Sequence, residues 1–320
     1  MTNTTRLNRR AAGLLLLAAG SVAMMASTAA IAQDKVIRVL RSPVGTFQGL
    51  FIAEEQGYFA EKGLKVEISI GGSPDQNVAQ LQAGQTDLIM TAAASVSTAV
   101  AQGLPLLAVL NTQDQGDTPT TGLQVPPNSP IKTVADLKGK KIGISGVTSP
   151  QAIALYRALR TAGMTPADVT LVNMGFDTMI ESAERATVDA IMPVGLFYPL
   201  AASKGFTAIP EVYNEIKGTA AVIFATSKAF ADANGEALKA FTEAMLKAYE
   251  YANANPDAVR AVDTAQTKMP PDYIATRYIA PFIGTFQRDK WAAMNKDMVE
   301  FGFIPRAPEE AEYIWEGTPQ

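Results

Sequence analysis

Thr86-Asp87-Leu88-Ile89-Met90 recurs 102 residues further on as Val188-Asp189-Ala190-Ile191-Met192, and in each copy a glycine, Gly103 or Gly205, stands 16 residues after the Asp. The match extends N-terminally at nearly the same offset. Val39 to Thr46, ending Ser42-Pro43-Val44-Gly45-Thr46, aligns with Ile142 to Ser149, ending Ser145-Gly146-Val147-Thr148-Ser149, and Gln48 then falls on Gln151. An ordered self-match of this kind is the signature of an internal repeat. Both copies read as short apolar strands alternating with helices, which implies parallel strands with helical crossovers.

In the first copy Ile37 to Leu40 is a short strand, Phe47 to Glu55 a helix closed by Gly57, and Leu64-Lys65-Val66-Glu67-Ile68-Ser69-Ile70 alternates with the period of a strand. Asp75 to Gln82 and Ser95 to Gln102 read as helices around a buried strand, Asp87 to Met90. The second copy places strands at Lys141 to Ser145, Val169 to Val172 and Val188 to Met192, with helices over Gln151 to Ala162 and Met179 to Arg185. Between the copies, Gly116, Pro119, Gly122, Pro126, Pro127 and Pro130 mark turns and extended chain, the place for one crossing between lobes. A strand from Ala220 to Thr226 follows, and then a helical tail: Glu236 to Asn253, Pro256 to Lys268, Pro271 to Tyr278 and Gln287 to Phe301. A tail without strands has no sheet of its own and returns to cover the first lobe. The expected layout is an α/β chain with lobe I at residues 33–120 and 224–320 and lobe II at 121–223.

The first 32 residues read as an export signal: Arg6, Arg9 and Arg10, an apolar run from Leu14, then small residues ending Ala30-Ile31-Ala32. Arg9-Arg10 leaves open a twin-arginine route beside the general secretory one. The 320 residues contain no Cys and no His, which removes disulfides, thiol nucleophiles, Cys/His zinc sites and every imidazole base. Lys and Arg total 27 against 31 Asp and Glu, with no basic stripe, so nucleic acid is not an expected partner. Ser129-Pro130-Ile131-Lys132 has the spacing of a Ser nucleophile and Lys base, but Pro130 sits in a turn and no companion element follows. Neither enzyme chemistry, a metal nor a cofactor is expected.

Ligands of open parallel sheets sit beyond the carboxyl ends of the strands, where loops feed helix N-termini. The repeat therefore nominates Ser42 to Gln48, Thr91 to Ser95, Ser145 to Ser149 and Pro193 to Tyr198, with Gly71 to Asp75 as a fifth loop. Ser42, Thr46, Ser73, Thr91, Ser95, Ser145, Thr148 and Ser149 offer hydroxyls there, for a ligand or for ordinary helix capping. Arg41 carries a guanidinium fork suited to a sulfonate or carboxylate, or else stands exposed at an edge. Phe47, Pro193, Phe197 and Tyr198 supply apolar surface for a ligand body. Asp87 and Asp189 precede equivalent strands and read as structural.

The run Ile52-Ala53-Glu54-Glu55-Gln56-Gly57-Tyr58-Phe59 with Gly63-Leu64-Lys65-Val66-Glu67 resembles the substrate-binding proteins of ABC importers for nitrate, sulfonates and taurine, the SsuA/THI5-like (NMT1-like) family. Leu81-Gln82-Ala83-Gly84-Gln85-Thr86-Asp87, Asp136-Leu137-Lys138-Gly139-Lys140-Lys141-Ile142-Gly143 and Gly163-Met164-Thr165-Pro166-Ala167-Asp168-Val169 extend it, over roughly Val36 to Phe206. The resemblance implies a bilobed periplasmic-binding-protein fold of the two-crossover type (type II), with parallel-sheet lobes and a helical C-terminal tail. It also implies a monomer that carries a small molecule to an inner-membrane ABC permease. The family often has an acidic residue before Pro after the last strand of lobe II, where this chain reads Met192-Pro193. The family's THI5 enzymes use a His and a Cys-rich motif that this chain lacks.

A small organic anion, sulfonate or carboxylate with or without an aromatic ring, is the expected ligand. A neutral pyrimidine or aromatic compound, or a sensing role beside a membrane kinase, is the alternative. Cleavage after Ala32 predicts that the exported protein begins at Gln33, which N-terminal sequencing or the intact mass of the secreted form checks.

Overall fold

The structure is a computed structural model and describes residues 35–42, 45–147 and 149–320; the segment read as an export signal, 1–32, lies outside them. The chain enters through β1 (Lys35–Arg41), α1 (Gln48–Glu55), β2 (Leu64–Ile70), α2 (Pro74–Gln82), β3 (Leu88–Thr91), α3 (Ala93–Ala101) and β4 (Leu106–Asp114). It then builds β5 (Leu123–Val125), β6 (Lys141–Ile144), α4 (Pro150–Thr161), β7 (Thr170–Asn173), α5 (Phe176–Glu184), β8 (Ala190–Ile191), α6 (Phe197–Ser203), β9 (Thr207–Ile209) and α7 (Pro210–Asn214). It returns through β10 (Ala220–Ser227) and ends in α8 (Lys228–Ala254), α9 (Pro256–Gln266), α10 (Pro271–Thr276), α11 (Arg288–Glu300) and α12 (Glu310–Tyr313).

Two five-stranded sheets result, ordered β2-β1-β3-β10-β4 and β7-β6-β8-β5-β9. β1 pairs in parallel with β2 and β3, and β6 with β7 and β8, as the repeat predicts. Each sheet also holds one antiparallel strand, β10 in the first and β5 in the second. The sheets are therefore mixed where parallel ones were expected. The reason is chain economy: a strand that arrives from the other sheet runs against the strands already there.

The repeated Asp residues do the same thing in both copies. Asp87 Oδ2 accepts the Arg38 N–H at 2.8 Å while its own N–H bonds the Arg38 carbonyl. Asp189 Oδ2 accepts the Lys141 N–H at 2.8 Å while its N–H bonds the Lys141 carbonyl. Each carboxylate thus clips the entry of one strand to its parallel neighbour, satisfying backbone donors that the ladder leaves open.

Alternate residues of the first sheet face opposite cores. Ile37, Val39, Leu88 and Met90 pack with α1, α8 and α9, while Leu40, Ile89 and Ile223 pack with α3 and α11. Phe241 of α8 stacks on Phe59 at 5.5 Å and meets Phe224 edge-on. Gly49 lets α1 approach α8, since a Cβ there would stand 2.5 Å from the Tyr249 ring. The tail covers the first sheet and also reaches the second. Arg157 Nε of α4 lies 2.5 Å from Asp297 of α11, and Arg160 bonds both Asp297 and Glu300. Ile153 of α4 belongs to the α3–α11 core.

Phe241→Ala removes a fully buried ring and is expected to cost about 3–5 kcal/mol in denaturant unfolding. Backbone N–H groups of Lys132 and Thr133 hold the Asp136 carboxyl below its usual range, and the Thr165 N–H and hydroxyl do so for Asp168. A depressed carboxyl contributes stability that is fully present above its unfolded value and is lost as pH falls through the folded one. Melting temperature should therefore drop as pH is lowered below about 4, and Asp136→Asn and Asp168→Asn together should flatten that drop.

Candidate functional site

Strand direction decides where a site lies. β3 and β4 both run against β10, so β4 leaves the first sheet on the same edge as the carboxyl ends of β1 and β3. β5 enters the second sheet antiparallel to β8, so the carboxyl ends of β8 and β6 point back toward the same crossing. The four nominated loops all hang from these two edges.

On the first edge, Arg41 is buried, 2% exposed, rather than standing free at an edge. Its Nη1 donates to the Ser42 carbonyl at 2.9 Å and its Nη2 to the Gln266 carbonyl at the end of α9 at 3.1 Å. The guanidinium lies 4.0 Å from the centre of the Phe47 ring, a cation–π contact, and no described carboxylate pairs with it. Burial pulls its pKa down from the usual guanidinium value. Phe47 is itself buried in the α1–α8 core. The Thr46 hydroxyl meets that of Thr112 at 2.5 Å, and Ser42 is buried.

Ser73 is exposed and caps α2, accepting from the Gln76 N–H at 3.3 Å. The Thr91 hydroxyl donates to the Pro74 carbonyl, and that of Ser95 to Asp75 at 2.8 Å. These two loops of the first sheet are thus bonded to each other.

On the second edge Ser145 is half-buried, Ser149 caps α4 by accepting from the Ala152 N–H at 3.3 Å, and Thr148 lies outside the described residues. Pro193 is buried. Phe197 stacks on Phe176 with ring centres 6.1 Å apart. Tyr198 is half-buried and its ring borders Gly122, where an added Cβ would stand 3.6 Å from both Tyr198 and Tyr213. The Tyr213 hydroxyl donates to the Gly116 carbonyl at 2.6 Å, and the Tyr278 hydroxyl borders the same glycine. Burial first, then Tyr198, Tyr278 and Asp117 nearby, push the Tyr213 phenol up to about 12, and burial raises Tyr198 too. Both stay protonated near neutral pH.

α2 and α4 are capped by their own serines, whereas α1, α3 and α5 begin at the same edges without a side-chain cap. The first residues of α1 and α3 are buried and their first turns free of acidic residues, whereas the first turn of α5 holds Asp177. α3 and α4 converge on one small cavity of ≈ 30 Å³, lined by Ala93, Pro150, Ile153, Phe286, Trp291 and Met294. That volume holds little more than one water. No group of three or more acidic residues suited to a metal gathers among the described residues. Sequence reasoning did not single out Asp263, Arg277, Thr112, Tyr213 or Tyr278, which reach the loops only through the folded tail and the crossing. Gln48 carried a faint signal in its alignment with Gln151.

The two sheets with their helical layers define an α/β periplasmic-binding-protein fold. The aliphatic sulphonate binding protein SsuA of Escherichia coli shares it, with a TM-score of 0.74 and 21% identity over 89% of this chain and 93% of that one. The chain belongs to the NMT1/THI5-like family, whose pattern it matches over residues 45–259. Among curated relatives, the formylaminopyrimidine-binding protein of Halalkalibacterium halodurans is 28% identical over 65% of this chain and 63% of that protein's length. A 4-amino-5-hydroxymethyl-2-methylpyrimidine phosphate synthase of Saccharomyces cerevisiae is 28% identical over 70% of this chain and 68% of its own.

Gly122 has φ +142°, a conformation that side chains disfavour although space for a methyl exists. Gly122→Ala is expected to cost about 1 kcal/mol or more, read as a melting temperature lowered by ~2–4 °C.

Proposed function

We propose that the chain is the periplasmic solute-binding component of an ABC importer, and that it takes a small organic anion, a sulfonate or carboxylate, between two lobes. Lobe I comprises residues 33–120 and 224–320, and lobe II 121–223. The observation that carries this reading is the pair of helices α1 and α3, which start at the carboxyl edge of the first sheet with neither a side-chain cap nor an acidic residue in their first turns, whereas α5 carries Asp177 there. Such termini present N–H donors and the positive end of the helix dipole, each worth ~0.3–1 kcal/mol toward an anion. The sulphonate named for the E. coli neighbour supports the same class. Ligand contacts from both lobes favour the closed state, and the permease accepts the loaded form.

A second reading, a neutral pyrimidine or other aromatic ligand, is favoured by the stacked Phe176 and Phe197 beside Tyr198 and by the pyrimidine named for the Halalkalibacterium relative. A binding role rather than synthesis is supported by the lack of His and Cys in the chain. Presentation of the same ligand to a sensor kinase would use the same site, and a neighbouring permease gene separates the two roles.

The test is a thermal-shift screen of the exported form, stripped of ligand by refolding, against sulfonates, carboxylates, nitrate, aromatic acids and pyrimidines. A ligand at 1,000 times its Kd adds ~4 kcal/mol, and each kcal/mol moves a chain of this size by ~2–4 °C. Shifts confined to sulfonates or carboxylates are expected; shifts with pyrimidines alone transfer the assignment to the second reading, and none at all with folded protein overturns both. Ser145→Ala combined with Thr148→Ala is expected to weaken the bound compound about tenfold or more by calorimetry, equivalent to losing ~1.4 kcal/mol.

A further inference from the structure

Between β1 and α1, the described residues Ser42 and Gly45 to Phe47 are held in place by side chains. There the backbone makes few bonds: the Leu50 N–H reaches the Phe47 carbonyl, and the Gly71 N–H reaches the Arg41 carbonyl just before Ser42. Four side-chain contacts do the remaining work. Arg41 closes onto the Ser42 carbonyl, Thr46 onto Thr112, and Gln48 Nε2 donates to the Gly45 carbonyl at 3.1 Å. The same Gln48 amide donates to Asp263 Oδ1 at 2.6 Å, on a helix 215 residues further along the chain. Gln48 is 1% exposed and Asp263 not at all.

Asp263 is itself fixed. Its other oxygen accepts from Arg277 Nε at 2.6 Å, while one turn further along α9 the Gln266 carbonyl receives Arg41. The last turn of α9 therefore grips both ends of the loop, through a charge-assisted bond at one end and a guanidinium at the other. Such bonds gain strength from burial and are shorter and more directional than neutral ones. Core packing alone does not require them, since apolar side chains of similar volume in place of both partners would fill the same space.

We propose that Gln48 and Asp263 are positioning residues that hold Gly45 to Phe47, at the start of α1, in the geometry with which that stretch meets the ligand. This rests on the binding role proposed above. It assigns to the C-terminal tail a share in affinity, although α9 contributes no residue to the nominated loops.

Gln48→Met keeps the volume and the Asp263–Arg277 pair but removes the donor. Asp263→Asn keeps an acceptor for Gln48 but weakens the pair with Arg277. Two measurements separate them: hydrogen exchange of peptides spanning residues 42–55, which needs no ligand, and calorimetric titration with butanesulfonate. Gln48→Met should raise exchange in those peptides and raise the Kd by about tenfold, and, because it leaves the buried Asp263 Oδ1 without its donor, should also lower the melting temperature by a few degrees, about 2–4 °C per kcal/mol lost. Asp263→Asn should lower the melting temperature more and change loop exchange less. Wild-type exchange and Kd in Gln48→Met overturn the proposal, as does a loss of affinity in both variants that merely tracks their melting temperatures. If the wild-type protein ignores butanesulfonate, it is the sulfonate assignment that falls, and the exchange measurement alone then judges the positioning role.

Discussion

β10 lies between β3 and β4 and is hydrogen-bonded to both, and the rest of the molecule depends on that insertion. Ala220 enters opposite Asp114, the last residue of β4, so the chain leaves the first sheet and comes back to it at adjacent points. Everything between those points is free to build a second sheet, and β5 fixes its direction by running against β8 and β9. Two antiparallel strands, one in each sheet, thus turn two carboxyl edges toward a shared crossing.

The repeat was legible because its two copies carry the same physical requirement at the same step. Asp87 and Asp189 each clip the entry of one strand to its parallel neighbour, and that need for a short carboxylate survives although the surrounding residues have diverged. The strands β1, β2 and β6 and the helices α1 and α4 were likewise readable from alternation and from the small residues at their starts. β4 and β5 were not: the first copy reads as ending with the helix after β3, and Asn111, Thr112 and Gln113 are polar residues buried in a strand that its own sequence gives no reason to bury. Their amides and hydroxyls bond the returning strand and tail, as when Thr112 donates to the Val222 carbonyl of β10 and Asn111 to the Thr285 carbonyl. Those partners lie more than a hundred residues away, beyond the reach of any local pattern.

The same limit applied to the candidate site. That the four loops hang from the carboxyl edges of the two sheets followed from topology and could be expected, whereas the settings of individual side chains could not. Arg41 reads in isolation as a cation at a strand end, and only the arrival of α9 puts it under cover, with Phe47 against its face and the Gln266 carbonyl at its tip. A helix C-terminus carries partial negative charge, which offsets part of the cost of burying the guanidinium. The helical tail is therefore part of the electrostatics of the first edge as well as its roof, and it extends through the Asp297 and Glu300 ion pairs to α4 of the second sheet.

Trp291 donates its indole N–H to Ser97 at 2.9 Å and lines the small cavity in which α4 meets α11. Trp315, the second of two tryptophans in the chain, sits on β4, where its N–H reaches the Ala108 carbonyl. One indole faces the seam between the two halves of the fold and the other is seated on the first sheet. The protein carries its own optical gauge: a change in the spacing of α4 and α11 alters the emission of Trp291, with Trp315 as a nearly constant background.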